Sequence, residues 1–384
     1  MAIPGPLRSP MASGLLAALL VAGCGPTSKL LRREILRDGA GTHLRDVPFV
    51  RQRRSWCGPA ALASVARFHG LALTQEQVAR EVYLPSIGAS LTIDLARCAR
   101  GHGLWCHSGR GSLDDARAWL DRGLPVLALL QHRSAFARPL HYVVLTGYHA
   151  RRGYLLAHTG HLSNRPISFE RFARQHADAG RWLLVACPPE RVDWPLDADG
   201  HNELGLLFER AGKLARAAAE YRRAIAVDGA NAVHHFNLGN VLARRREPAA
   251  AERAYREAIA RQPAFADAHN NLAELLLTLG RKHEAYREAR RAVTIDGPRA
   301  AYYHDTLGRV LLALGRHAHA AHAFRTAIAE AGDDPAVATD ARLGLIEALV
   351  RAGDRAAAAA EKSRVLATAA DPAALRPRLD KILE

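Results

Sequence analysis

A spacing of 34 residues governs the second half of the chain. The pairs Leu204-Gly205, Leu238-Gly239 and Leu272-Ala273 recur at that interval, and Leu307-Gly308 follows at 35. Each pair is followed by a second helical segment with a small residue, an aromatic and another small residue. These are Ala217, Tyr221 and Ala224, then Ala251, Tyr255 and Ala258, then Ala320, Phe324 and Ala327. The third unit is a weaker copy, with Ala289 at the aromatic position. Small residues let two helices approach, the aromatic fills the gap beside them, and a Pro such as Pro263 or a Gly stops the second helix. A helix pair this short cannot bury its apolar face alone, so such units must stack into an all-α solenoid. Leu345 lies 38 residues after Leu307, with the extra length at Ala331-Gly332-Asp333-Asp334. Asp371 to Glu384 reads as a closing helix.

The period and the small-aromatic-small pattern resemble tetratricopeptide arrays, over residues 200–384. The resemblance implies a scaffold whose concave face takes a peptide or a protein partner, without identifying it. His234, His235, His317, His319 and His322 are expected on exposed or groove-lining helix faces. They lack acidic or cysteine partners at ligand spacing, so no metal is assigned to them.

Residues 45–190 have a different texture. Thr74 with Gln77 and Ser112 with Asp115 have the spacing of capping boxes, and Gly123 ends the second helix. Four apolar runs follow with the length of buried strands: 125–130, 142–145, 154–157 and Trp182 to Ala186. A helical front followed by an antiparallel sheet is an α+β domain.

Two of these elements carry chemistry. In Gln52-Arg53-Arg54-Ser55-Trp56-Cys57-Gly58-Pro59-Ala60-Ala61-Leu62, a cysteine stands at the start of a helix opened by a proline. Unsatisfied N–H groups and the positive end of the helix dipole favour a thiolate there. The Gln52 amide and the Cys57 N–H are placed to donate to an oxyanion on a carbonyl substrate. His141, in Pro139-Leu140-His141-Tyr142-Val143-Val144 at the entry to a strand, supplies a base. This is the cysteine–histidine arrangement of papain-like enzymes.

The same residues resemble the peptidase C39-like family, whose bacteriocin-processing members cut leader peptides after a double glycine. Gln52, Cys57 and His141 match its oxyanion, nucleophile and base positions. Phe169-Glu170-Arg171-Phe172 with Trp182 matches its closing helix and strand. The fold expected is thus an α+β papain-like cysteine peptidase domain followed by an all-α tetratricopeptide solenoid. One position departs from the family: where it carries Asp-Pro, this chain has His158-Thr159-Gly160. His158 is expected in the third role, orienting His141, and Asn164 is an alternative.

Arg8 and a short apolar run to Gly23 read as a signal peptide over residues 1–23. Leu20-Val21-Ala22-Gly23-Cys24 resembles a bacterial lipobox, which implies lipidation of Cys24. Residues 24–44 are expected to be the lipidated N-terminus and a linker, with a second linker at 191–199. With Gly25 after the cysteine, the resemblance leans toward the periplasmic face of the outer membrane. The net charge of +15 rests on 48 arginines and only five lysines scattered along the chain. No aromatic-studded basic platform accompanies it, so nucleic acid is not expected as a partner. In an oxidising compartment Cys98 and Cys106 are candidates to pair, with Cys187 left over. No feature calls for a metal or nucleotide cofactor.

The reading favoured is a lipid-anchored cysteine peptidase whose repeats recruit a substrate or partner. The alternatives are a non-catalytic adaptor carrying a degenerate peptidase-like domain, and another acyl transfer on the same fold.

Overall fold

The computed structural model describes residues 27–53, 55–132, 139–332, 334–368 and 371–383. They form two compact units that divide between Trp194 and Pro195. Cys24 and the apolar run before it lie outside the described residues. No described helix is long and apolar enough to cross a membrane.

The first unit runs α1 (Ser28–Asp38), β1 (Gly41–His43), α2 (Cys57–Phe68), α3 (Gln75–Val82), a ribbon of β2 (Tyr83–Leu84) and β3 (Ala89–Ser90), and α4 (Thr92–Gly101). It continues with β4 (Trp105–Arg110), α5 (Leu113–Asp121), β5 (Val126–Gln131), β6 (Leu140–His149), β7 (Tyr154–His158), β8 (Arg165–Ser168), α6 (Phe169–Asp178) and β9 (Trp182–Cys187). The main sheet has the order β4-β9-β5-β6-β7-β8, with β1 paired to the far end of β6, and every pairing is antiparallel. Both expected capping boxes form: Thr74 with Gln77 opens α3, and Ser112 with Asp115 opens α5.

Strand alternation divides the helices between the two faces of the sheet. On one face Leu62 and Val65 of α2 and Leu95 of α4 pack with Leu127, Leu129, Tyr142, Val144 and Leu184. The α2 segment is buried on nearly every side from Gly58 to Ala66, as befits a helix without a polar stripe. On the other face α6 crosses β5, and the buried His176 ring bonds the Leu129 carbonyl.

Residues 28–43 are not a linker. Leu31 and Ile35, one turn apart on α1, bury against Leu156, and β1 pairs with β6. The amphipathic spacing of α1 supplies the reason, since its apolar stripe needs a surface to cover. Three strands of the main sheet escaped the sequence reading, as did the β2–β3 ribbon. β4 is Trp-Cys-His-Ser-Gly-Arg, and β1 and β8 are three and four residues long. None is an apolar run; their partner strands hold them in place.

The second unit is a succession of helix pairs: α7 (Ala198–Arg210) with α8 (Leu214–Val227), α9 (Ala232–Arg244) with α10 (Pro248–Arg261), α11 (Ala266–Thr278) with α12 (Lys282–Ile295), α13 (Ala300–Ala313) with α14 (His317–Glu330), and α15 (Pro335–Arg351) with α16 (Arg355–Thr368). The last described helix is α17 (Pro372–Leu383). A Cβ added at Gly205, Gly239 or Gly308 would stand 2.6, 2.6 and 2.7 Å from ring atoms of Tyr221, Tyr255 and Phe324. The repeated glycine is therefore the floor on which each aromatic lies. In the offset fifth pair, Ala358 and Val365 are buried 13 and 20 residues after Leu345, as Ala320 and Ala327 are after Leu307. His234 and His235 are buried rather than exposed, their rings bonded to the carbonyls of Asp228 and Gly229 at the preceding turn. That contact needs only the local chain.

Candidate active site

Cys57 is the first residue of α2, with Trp56 as a cap that supplies no side-chain hydrogen bond. The N–H groups of Cys57 and Gly58 have no intrahelical partner at this position. Both point at the Cys57 sulfur, as does the Tyr142 N–H from β6. Pro59, third in the helix, has no N–H to leave unpaired. Against these three donors stands burial, the larger effect, which pushes the thiol above its ordinary value. The helix N-terminus thus does not by itself hold Cys57 as thiolate, contrary to expectation: taking the sulfur out of water costs its charged form more than the three N–H groups return.

The segment before α2 is tied down at both ends. Ser64 donates to the Pro48 carbonyl, and Gln75 bonds the Arg51 carbonyl and the Arg53 N–H. Between these, the Gln52 N–H donates to the Gly160 carbonyl at 2.8 Å. The Gln52 side chain lies against the Gly160 Cα, and its Oε1 is buried without a hydrogen-bond partner among the described residues. Gly160 also lines the cleft that holds Cys57, together with Val50, Ser64, Tyr142 and His158. That cleft encloses about 10 Å³, room for roughly one water.

His141 lies one residue before Tyr142, so its side chain leaves the opposite face of β6. There it lines a second cavity of about 140 Å³ with His132, His161, Arg165, Arg171 and Gln175. Its Nε2 donates to the Thr159 carbonyl at 3.1 Å. A proton fixed on Nε2 leaves Nδ1 as the basic nitrogen. Burial holds the imidazole below its ordinary value, the Thr159 carbonyl opposing that in part. A raised thiol and a lowered imidazole make a resting pair that is neutral on both sides.

Residues 44–176 match the model of the peptidase C39 like family, and residues 190–232, 236–301 and 306–374 match that of the tetratricopeptide repeat. The chain carries a peptidase C39-like domain followed by tetratricopeptide repeats. No curated protein matches it. Among solved structures, PilF of Pseudomonas aeruginosa is 25% identical over 48% of this chain and 83% of its own, with a TM-score of 0.42. YrrB, a tetratricopeptide protein described as having an unusual peptide-binding site, is 19% identical over 48% of this chain and 91% of its own, with a TM-score of 0.40.

In the C39-like domain the third position is filled differently from expectation. His158 does not orient His141. Its Nε2 donates to the Val47 carbonyl at 3.0 Å, and its Nδ1 accepts the Asn164 N–H at 3.1 Å. The reason is register: His158 pairs with Val144 and so faces α2, away from the His141 ring. Asn164 is occupied as well, its Oδ1 accepting from Thr146 at 2.7 Å. The group that holds His141 is a backbone carbonyl, that of Thr159, which sequence reasoning could not single out because every residue has one. Among the described residues no hydrogen bond joins His141 to Cys57. Among the described residues Cys98, Cys106 and Cys187 are buried and form no disulfide, and Cys98 faces Glu81.

Proposed function

We propose that the C39-like domain is a cysteine peptidase in which Cys57 is the nucleophile, His141 the base, and Gln52 with the Cys57 N–H the oxyanion donors. The observation that carries this reading is the Tyr142 N–H pointing at the Cys57 sulfur. Tyr142 directly follows His141 in β6, so the strand that touches the sulfur is also the strand that carries the base. A substrate must open the water-sized cleft in any case. The neutral pair then reacts by general-base catalysis: His141 takes the thiol proton as sulfur attacks the carbonyl, and returns it to the leaving amine. Water releases the acyl-enzyme.

The repeats serve as the recruiting surface, since the concave side of such an array presents one extended binding face. Lipidation at Cys24, read from the lipobox-like run, places the protein at the periplasmic face of the outer membrane. Loss of fatty-acid labelling in Cys24→Ala is the check on the anchor.

The deciding experiment compares iodoacetamide labelling of Cys57 at pH 7 in the wild type and in His141→Ala, together with turnover of a peptide library. Slower labelling in His141→Ala and turnover abolished in Cys57→Ala support the peptidase. Labelling indifferent to His141, with no turnover, leaves the adaptor reading. The observation that favours that second reading is that, among the described residues, His141 bonds a backbone carbonyl and no carboxylate.

A further inference from the structure

On the helical side of the first unit, three side chains converge between α3 and α4. Cys98 and His102 stand one helical turn apart at the end of α4, and so share a face. Glu81 comes from the last turn of α3. A carboxylate oxygen of Glu81, the Cys98 sulfur and a His102 ring nitrogen lie within 4.8 Å of one another. The Glu81 carboxylate already gathers both partners, meeting His102 Nε2 at 2.9 Å and the Cys98 thiol. Cys98 is buried, while the His102 and Glu81 side chains keep 35% and 46% of their surface in solvent. The cluster therefore has a fixed inner donor and an open outer side through which an ion can enter.

We propose that Glu81, Cys98 and His102 bind a zinc-class divalent cation, with water completing a four-coordinate shell. The donor set selects the metal. One sulfur, one imidazole nitrogen and one carboxylate suit zinc or cobalt and do not suit magnesium or calcium, which want oxygen. In a tetrahedral site with bonds of about 2.0–2.3 Å, donor atoms stand roughly 3–4 Å apart, so these three need to close by about 1 Å or less. Burial, with Glu81 beside it, pushes the free thiol up to about 12. A bound cation takes the place of the thiol proton, which leaves to solvent, and the His102 proton moves to Nδ1. The bound ion ties α3 to α4.

The test is titration of the purified, reduced full-length chain with Co(II), followed by the near-ultraviolet thiolate-to-cobalt band and by displacement with Zn(II). One equivalent of cobalt is expected to give the band. Cys98→Ser should abolish it, and His102→Ala should weaken binding by more than the roughly 10- to 100-fold that loss of an outer partner costs. His102 lies at the surface, so its variant reports on the site even if Cys98→Ser folds poorly. Cys57→Ser and Cys106→Ser should leave the band unchanged. No thiolate band at stoichiometric cobalt overturns the proposal, as does a band lost in Cys57→Ser or Cys106→Ser but kept in His102→Ala.

Discussion

Gln52 and Gly160 are interlocked: the Gln52 N–H bonds the Gly160 carbonyl at 2.8 Å, and a Cβ on Gly160 would sit 1.9 Å from the Gln52 Oε1. Gly160 also has φ +77°, a conformation that other residues adopt at a cost. A residue proposed to stabilise an oxyanion is thus positioned by a glycine on the loop that follows β7.

Gly160→Ala should displace the Gln52 amide and strain the loop. We expect a loss of stability of about 1–3 kcal/mol, seen in urea unfolding, and a fall in peptidase turnover larger than that of Gln52→Asn. Wild-type turnover in Gly160→Ala would show that the interlock does not position the amide.

Restoring the family's aspartate should not help this chain. The His158 Nε2–H donates to the Val47 carbonyl, and an aspartate has no proton to give there. His158→Asp keeps only the Asn164 N–H and leaves a buried carbonyl facing a carboxylate. Destabilisation of about 1–3 kcal/mol is expected, with no gain in Cys57 labelling at pH 7. Faster labelling would mean that the carboxylate reaches His141 after all.

The pH dependence of turnover should be wide. His141 works as a neutral base and its pKa is lowered, so the acid limb should lie below the ordinary imidazole value of about 6.5. Cys57 is raised, so the uncatalysed labelling rate in His141→Ala should climb only above the ordinary thiol value of about 8.5. Stopped-flow labelling across pH 5 to 10 reads both, and a single rise near pH 7 in the variant would contradict them.

His69, at the end of α2, gives a stability test. Burial lowers it to about 4, and its Nε2 lies buried without a partner among the described residues. The folded value is depressed, so the folded state binds fewer protons than the unfolded chain. Its contribution is complete above about pH 6.5 and is lost as pH falls toward 4. Allowing for partial exposure of the ring, we expect a loss of about 1–2 kcal/mol over that window. Urea midpoints at pH 7 and 4 should converge in His69→Gln relative to the wild type.

In the solenoid, Gly239→Ala adds a methyl 2.6 Å from the Tyr255 ring. The gain in helix propensity of about 1 kcal/mol is outweighed by overpacking of about 1–3 kcal/mol. The cost should shrink in a Tyr255→Leu background, and a double-mutant cycle by thermal unfolding measures that coupling.

What could be read in the sequence was whatever depends on spacing along one chain. The 34-residue interval requires the stacked pairs, because Gly239 and Tyr255 must meet on neighbouring helices 16 residues apart. The capping boxes at Thr74 and Ser112 are local by construction, and so they form as read. Cys57 at the first position of α2 follows from the Gly-Pro after it. The strands β1 and β4 were not legible, since neither has an apolar run and only their partners β6 and β9 hold them in extended form.

The tertiary structure alone decided how the site is electrically arranged. The sequence places Cys57 at a helix N-terminus, where the dipole favours a thiolate, but how much water remains around the sulfur depends on Tyr142 and His158, which arrive from two later strands. Burial there outweighs the three N–H groups and raises the thiol. Likewise, a period of two along β6 and the register of β7 set which face each histidine takes. That register gives His141 to the Thr159 carbonyl and His158 to Val47, a division that no spacing within a single segment specifies.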